Sequence, residues 1–208
     1  MIETTISQLN QLKLTGMAKA LQQQLEQPGQ YEELSFSERL QLLTDNEVYE
    51  RDYRKQQRLL KQAQLKLMAT AQDIDYQHPR ALQKSVMADL LQCQWLKRHQ
   101  NLLLTGPCGT GKTYIACALA NTACLKGFSA KYYRISRLLM ELTQSKADGT
   151  YNKKLKSLAK LNMLILDDWG LEPLKAAQRN DLMEIMDDRH GSSSTVLISQ
   201  LPTDQWYQ

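Results

Sequence analysis

Nowhere in the 208 residues do 18 apolar side chains run together, so the sequence offers no helix able to span a bilayer. The opening residues, MIETTISQLNQLKL, lack a basic region followed by an apolar one. No export signal is expected, and a cytoplasmic location is. Cysteine is sparse: Cys93, Cys108, Cys117 and Cys124 form no C-x-x-C pair, and no histidine stands at ligand spacing. Free thiols in a reducing compartment are expected, and a zinc site is not. His78 and His99 are isolated and read as surface or packing residues. A strong charge of one sign is also missing. The net charge of +4 permits a nucleic-acid partner without requiring one. Apolar residues make up 42% of the chain, enough for one good core plus a smaller appendage.

The most informative stretch is LLLTGPCGTGKT, Leu102 to Thr113. Three leucines and a threonine form the short apolar run of a buried parallel strand. Gly106-Pro107-Cys108-Gly109-Thr110-Gly111-Lys112-Thr113 then fits G-x-x-x-x-G-K-[ST], and Tyr114 opens a helix-forming run. Strand, glycine loop and helix in that order are the context the motif requires. Glycines let consecutive backbone N–H groups turn inward around phosphate oxygens, and the helix that begins near Lys112 adds the positive end of its dipole. Lys112 is suited to the β- and γ-phosphates, and the Thr113 hydroxyl to Mg²⁺.

Upstream, Ile6, Leu9, Leu12, Met17, Leu21 and Leu25 recur at helical spacing, which predicts two short helices broken near Leu14-Thr15-Gly16. Ser35 and Glu38 read as a capping box opening a helix to about Met68. That helix changes sign along its length. Arg51, Arg54, Lys55, Arg58 and Lys61 follow an acidic first half, and Arg51, Arg54, Arg58 and Lys61 share one face. Such a stripe suits a phosphate backbone, and it equally suits a solvated face that keeps the helix soluble. His78-Pro79 marks a break, and 81–95 reads as helical again. Cys117 and Cys124, seven apart after the glycine loop, are expected to pack in the core. Lys126-Gly127 closes that helix, and 130–135 and 136–145 are the next strand and helix.

Met163-Leu164-Ile165-Leu166-Asp167-Asp168 is a second anchor, with two carboxylates at the tip of a buried strand, where open α/β sheets bind ligands. Asp167 is suited to hold Mg²⁺ through its water shell, and Asp168 to polarise the water that attacks a γ-phosphate. A helix over 175–189 with Leu182, Ile185 and Met186 as its buried stripe precedes a strand, 195–199, that ends in Ser199-Gln200. Gln200 is positioned either to orient that water or simply to end a strand.

With these residues assembled, the chain resembles the IstB-like ATP-binding proteins, the transposition helpers of bacterial insertion sequences. The resemblance runs from FSERLQLLTDNEVYERDYRKQQRLLKQAQLK through NLLLTGPCGTGKT, LILDDWG and DLMEIMDDRHGSSSTVLISQLP to DQWYQ. It implies an α/β P-loop NTPase of AAA+ type, a parallel sheet sandwiched by helices over 76–208, preceded by a small all-α N-terminal domain over 1–75. It also implies ATP and Mg²⁺ as ligands, binding of double-stranded DNA without sequence preference, ATP-dependent self-assembly, and delivery of a target site to a transposase. Gly106 to Thr113 correspond to Walker A, Asp167 and Asp168 to Walker B, and Gln200 to the sensor residue. Tyr114 stands where the family usually has His, and Asp168 where most AAA+ proteins have Glu. The helical lid and the arginine that reaches a neighbour's ATP lie beyond Gln208 in the family, so a C-terminally truncated chain is expected. A replicative helicase loader, which shares the ATPase class, and a non-hydrolysing nucleotide-dependent DNA scaffold are the alternative readings.

Overall fold

The computed structural model describes residues 2–77 and 82–206, and the break expected at His78-Pro79 lies outside them. Contacts divide the chain into two compact units, Met1–Arg58 and Leu59–Gln208. The first unit contains α1 (Ile2–Gln11), α2 (Thr15–Glu26) and most of α3 (Phe36–Ala63). Its division from the second unit falls inside α3 and not after residue 75. Leu59, Ala63, Ala69 and Ile74 are buried in the same apolar cluster as Ile115 and Leu119, so residues 59–75 belong by packing to the second unit. The helix stops at Ala63, short of Met68, because Gln64 takes a left-handed conformation with φ 46°.

In the second unit, α4 (Lys84–Leu91) and α5 (Gln94–Lys97) replace the single helix expected over 81–95, with Cys93 at φ 61° between them. Four short strands follow: β1 (Leu102–Thr105), β2 (Ala130–Arg134), β3 (Met163–Trp169) and β4 (Ser194–Ser199). They pair in parallel in the order β1-β4-β3-β2. Parallel pairing needs crossover connections, supplied by α6 (Lys112–Leu125), α7 (Ile135–Ala147), α8 (Tyr151–Ala159) and α9 (Ala176–Arg189). Strand side chains alternate between two cores. Tyr132, Met163, Ile165, Val196 and Ile198 pack with α6, whereas Tyr133, Leu164, Leu166 and Leu197 pack with α7, α8 and α9. Full burial of each aliphatic or methionine side chain here contributes about 1.5–3 kcal/mol. Cys117 and Cys124 are buried against the first face, as expected.

The two edges of this sheet differ in chemistry. At the edge where the strands begin, the buried Arg189 donates to the Leu158, Leu161 and Ser194 carbonyls and to Thr195 Oγ1. Burial lowers its pKa to about 10. At the edge where the strands end stand Thr105, Arg134, Trp169 and Ser199, which brings the glycine loop and the acidic pair together.

In the first unit, α2 lacks a side-chain cap of its own, since its N-cap residue is Leu14. The cap comes from α3. Glu47 accepts the Gly16 N–H at 2.7 Å and the Met17 N–H at 3.2 Å, and Arg51 Nε donates to it at 2.6 Å. The helices approach so closely that a Cβ on Gly16 would lie 2.7 Å from Glu47 Cα. Burial pushes the Glu47 pKa up, but the Arg51 hydrogen bond and the two amides outweigh it and hold the carboxyl below its ordinary value. A depressed folded pKa adds stability above the unfolded value and loses it as pH falls through the folded one. Glu47→Gln should therefore destabilise the first unit by about 1–2 kcal/mol at pH 7. In urea titrations followed by circular dichroism, the gap between parent and variant should persist down to about pH 4.3 and close below it. A gap independent of pH would refute the assignment.

Candidate nucleotide site

The loop between β1 and α6 owes its shape to left-handed backbone at Gly109 and Gly111, with φ 82° and 83°. Gly109 has open space where a Cβ would lie, so at that position the backbone angle, and not room, requires glycine. The loop delivers its N–H groups to the start of the 14-residue α6. Lys112 folds back over the loop, where Nζ donates to the Gly106 and Pro107 carbonyls, each at 2.7 Å, and lies 3.4 Å from Thr110 Oγ1. An ammonium held by carbonyls beside a cradle of N–H groups is placed to exchange those carbonyls for phosphate oxygens. Cys108 is exposed, and Tyr114 is half-buried against the first core face.

Thr113 joins the loop to the acidic strand, its hydroxyl donating to Asp167 Oδ2 at 2.9 Å. Asp167 is buried, with 3% of its surface exposed, and draws further donors. Tyr132 OH donates to Oδ2 at 2.6 Å, Lys66 Nζ lies 3.8 Å from the same oxygen, and the Asp168 N–H binds Oδ1 at 2.9 Å. Burial and hydrogen bonding to Asp167 raise the Tyr132 pKa well above its ordinary value, so its hydroxyl keeps its proton and stays a donor. Thr113 and Asp167 fit the hard oxygen-ligand set that Mg²⁺ requires.

Asp168 breaks the pairing register of β3 with β4. Its φ is 65°, and the β3–β4 register shifts between Leu166 and Trp169. The resulting bulge turns its carboxylate to Arg134, the last residue of β2, whose Nε donates to Oδ2 at 2.7 Å. Gln200 follows Ser199, which pairs with Thr105 on one side and Trp169 on the other. It therefore lies along the sheet between the glycine loop and the acidic strand.

Lys66, Tyr132 and Arg134 were not legible as site residues in the sequence. Arg134 carries a weak signal, as the polar end of a strand whose neighbour ends in carboxylates; Lys66 carries none, because it comes from an irregular connection. The basic residues of α3 are all exposed. Arg51 and Arg54 lean on Glu47, at 2.6 and 3.7 Å, whereas no ion pair within 4 Å is made by Lys55, Arg58 or Lys61 among the described residues.

The chain is 48% identical over 204 residues to the ATP-binding protein of insertion sequence IS1162 from Pseudomonas fluorescens, covering 98% of this chain and 88% of that one. It is 41% identical to the insertion sequence ATP-binding protein y4pL of Sinorhizobium fredii, covering 98% and 83%. Among solved structures it superposes on DnaI with a TM-score of 0.57 at 24% identity, over 72% of this chain and 78% of that one. It also superposes on the DnaC helicase loader with a TM-score of 0.52 at 24% identity, over 57% and 68%. The fold is thus that of an AAA+ P-loop domain with helices N-terminal to it. The family model described as IstB-like ATP binding protein matches residues 7–208, and with that extent of match the chain belongs to this family of insertion-sequence ATP-binding proteins.

Proposed function

We propose that this chain is an ATP-dependent DNA-binding ATPase that helps a transposase select target DNA, assembling along the duplex as it binds ATP. The observation that carries the reading is the hydrogen bond from Thr113 to Asp167, which ties the phosphate loop to the acidic strand tip. The insertion-sequence origin of the relatives supports the transposase partner.

Lys112 Nζ moves from the loop carbonyls to the β- and γ-phosphate oxygens. Thr113 and Asp167 would hold Mg²⁺, which neutralises charge on those oxygens when bound. Asp168 takes the proton of the attacking water at a carboxylate oxygen once it turns from Arg134, and Gln200 orients that water from the neighbouring strand end. The Arg134 pair also favours a second reading, a scaffold that binds ATP without turning it over, because there the Asp168 carboxylate stays occupied. Lys55, Arg58 and Lys61 serve as duplex contacts on α3, with Arg51 and Arg54 flanking them.

Lys112→Ala should abolish ATP binding in a calorimetric titration while helical content stays unchanged. Unaltered affinity would remove the loop from the site. Asp168→Asn should bind ATP as the parent does and lower turnover by about 10²-fold or more. Parental turnover in that variant would place the base elsewhere, and no turnover in the parent with DNA present would favour the scaffold. On two unrelated duplexes, Lys55→Ala together with Arg58→Ala should flatten the slope of log affinity against log salt by about two, equally for both sequences. Matching slopes in parent and variant would return this face to a solvated role.

A further inference from the structure

Among the described residues, Lys66 is the one charged group paired with the acidic strand tip that comes from outside the sheet and its helices. It lies just past α3, on a segment held firmly against the second unit's core. Lys131 Nζ donates to the Gln62 carbonyl at 3.2 Å and to Gln64 Oε1 at 2.6 Å. Asn121 Nδ2 donates to the Ala69 carbonyl at 2.9 Å, and Ala63 and Ala69 are buried. These anchors, on β2 and α6, fix both ends of a short stretch whose middle residue faces Asp167.

Among the described residues, four donors converge on Asp167. Oδ1 is capped by the Asp168 N–H, while Thr113 Oγ1, Tyr132 OH and Lys66 Nζ gather on Oδ2. Two of the three are neutral hydroxyls that coexist with a metal ion, since a hydroxyl can donate to a carboxylate while its oxygen lone pair faces the cation. The ammonium has three donors and no lone pair, so it cannot share that role. A dication reaching Thr113 and Asp167 would bring two positive charges close to a third, beside a carboxylate that is itself buried. The Lys66 side chain is 44% exposed, so it has an open route to solvent when displaced.

We propose that Lys66 is a built-in monovalent counter-ion for Asp167 that Mg²⁺ must displace, its side chain swinging to solvent while the backbone anchors of its segment hold. This rests on the reading of the phosphate loop as a nucleotide site. It adds that metal occupancy at Asp167 and the Lys66 contact with that carboxylate are alternatives.

The test is a Mg²⁺ titration of nucleotide affinity, using a fluorescent non-hydrolysable ATP analogue, for the parent, Lys66→Met and Lys66→Arg. Removing the competing charge should lower the Mg²⁺ midpoint of Lys66→Met by about tenfold and leave affinity in EDTA unchanged. Lys66→Arg, which keeps the charge, should retain the parental midpoint and serves as the control for a folding effect. Equal midpoints in parent and Lys66→Met overturn the proposal. So does a loss of affinity in EDTA, which would make Lys66 a phosphate ligand. A parent that binds no nucleotide at any Mg²⁺ concentration overturns the phosphate-site reading itself, a result distinct from the other two.

Discussion

A carboxylate buried at the end of an apolar strand has to be surrounded by donors, and in this chain Asp167 is that carboxylate. Its requirement reaches across four pieces of chain: the helix after the glycine loop through Thr113, the edge strand through Tyr132, the next residue's own amide, and the connection after α3 through Lys66. Leaving a buried ion unpaired costs several kcal/mol, so each donor is held near its place even though none is large. The phosphate loop is therefore coupled to the acidic strand by the same hydrogen bonds that make the strand's charge tolerable.

The opposite edge of the sheet is held by the reverse arrangement. Arg189 is a buried cation satisfied by carbonyls and a hydroxyl, with no carboxylate among its hydrogen-bond partners. A planar guanidinium reaches the ends of α8 and β4 at once, which a lysine's single ammonium would not. The sheet thus has a buried cation where its strands begin and an acidic seam where they end. In the first unit, a third charge does structural work when Glu47 caps a helix that has no cap of its own, and in doing so it partly neutralises the head of the basic face on α3.

Local chemistry was legible in the sequence, and long-range chemistry was not. The capping box at Ser35 and Glu38 is present, with the Ser35 N–H on Glu38 Oε2 at 2.7 Å, because both partners lie within one turn. The glycine loop, the acidic strand and the order of strands and helices around them follow from short apolar runs and turn residues, whose period is intrinsic to the chain. The end of α3 was missed because one left-handed residue, Gln64, overrides a pattern that continues beyond it. Glu47 looked like one acid among many on an acidic stretch. What makes it different is the amide of Gly16, 31 positions earlier. Lys66 and Arg134 were missed for the same reason, since only the folded chain brings them to Asp167 and Asp168.

The bulge at Asp168 also bears on why an aspartate stands at this strand tip. A left-handed backbone costs an ordinary side chain about 1–2 kcal/mol, and aspartate and asparagine, whose short polar groups bond locally, escape much of that cost. With φ at 65°, this strand tip selects its acid for backbone compatibility before reach. A glutamate would gain one methylene of reach only by straining that turn, so the shorter acid and the bulged strand go together.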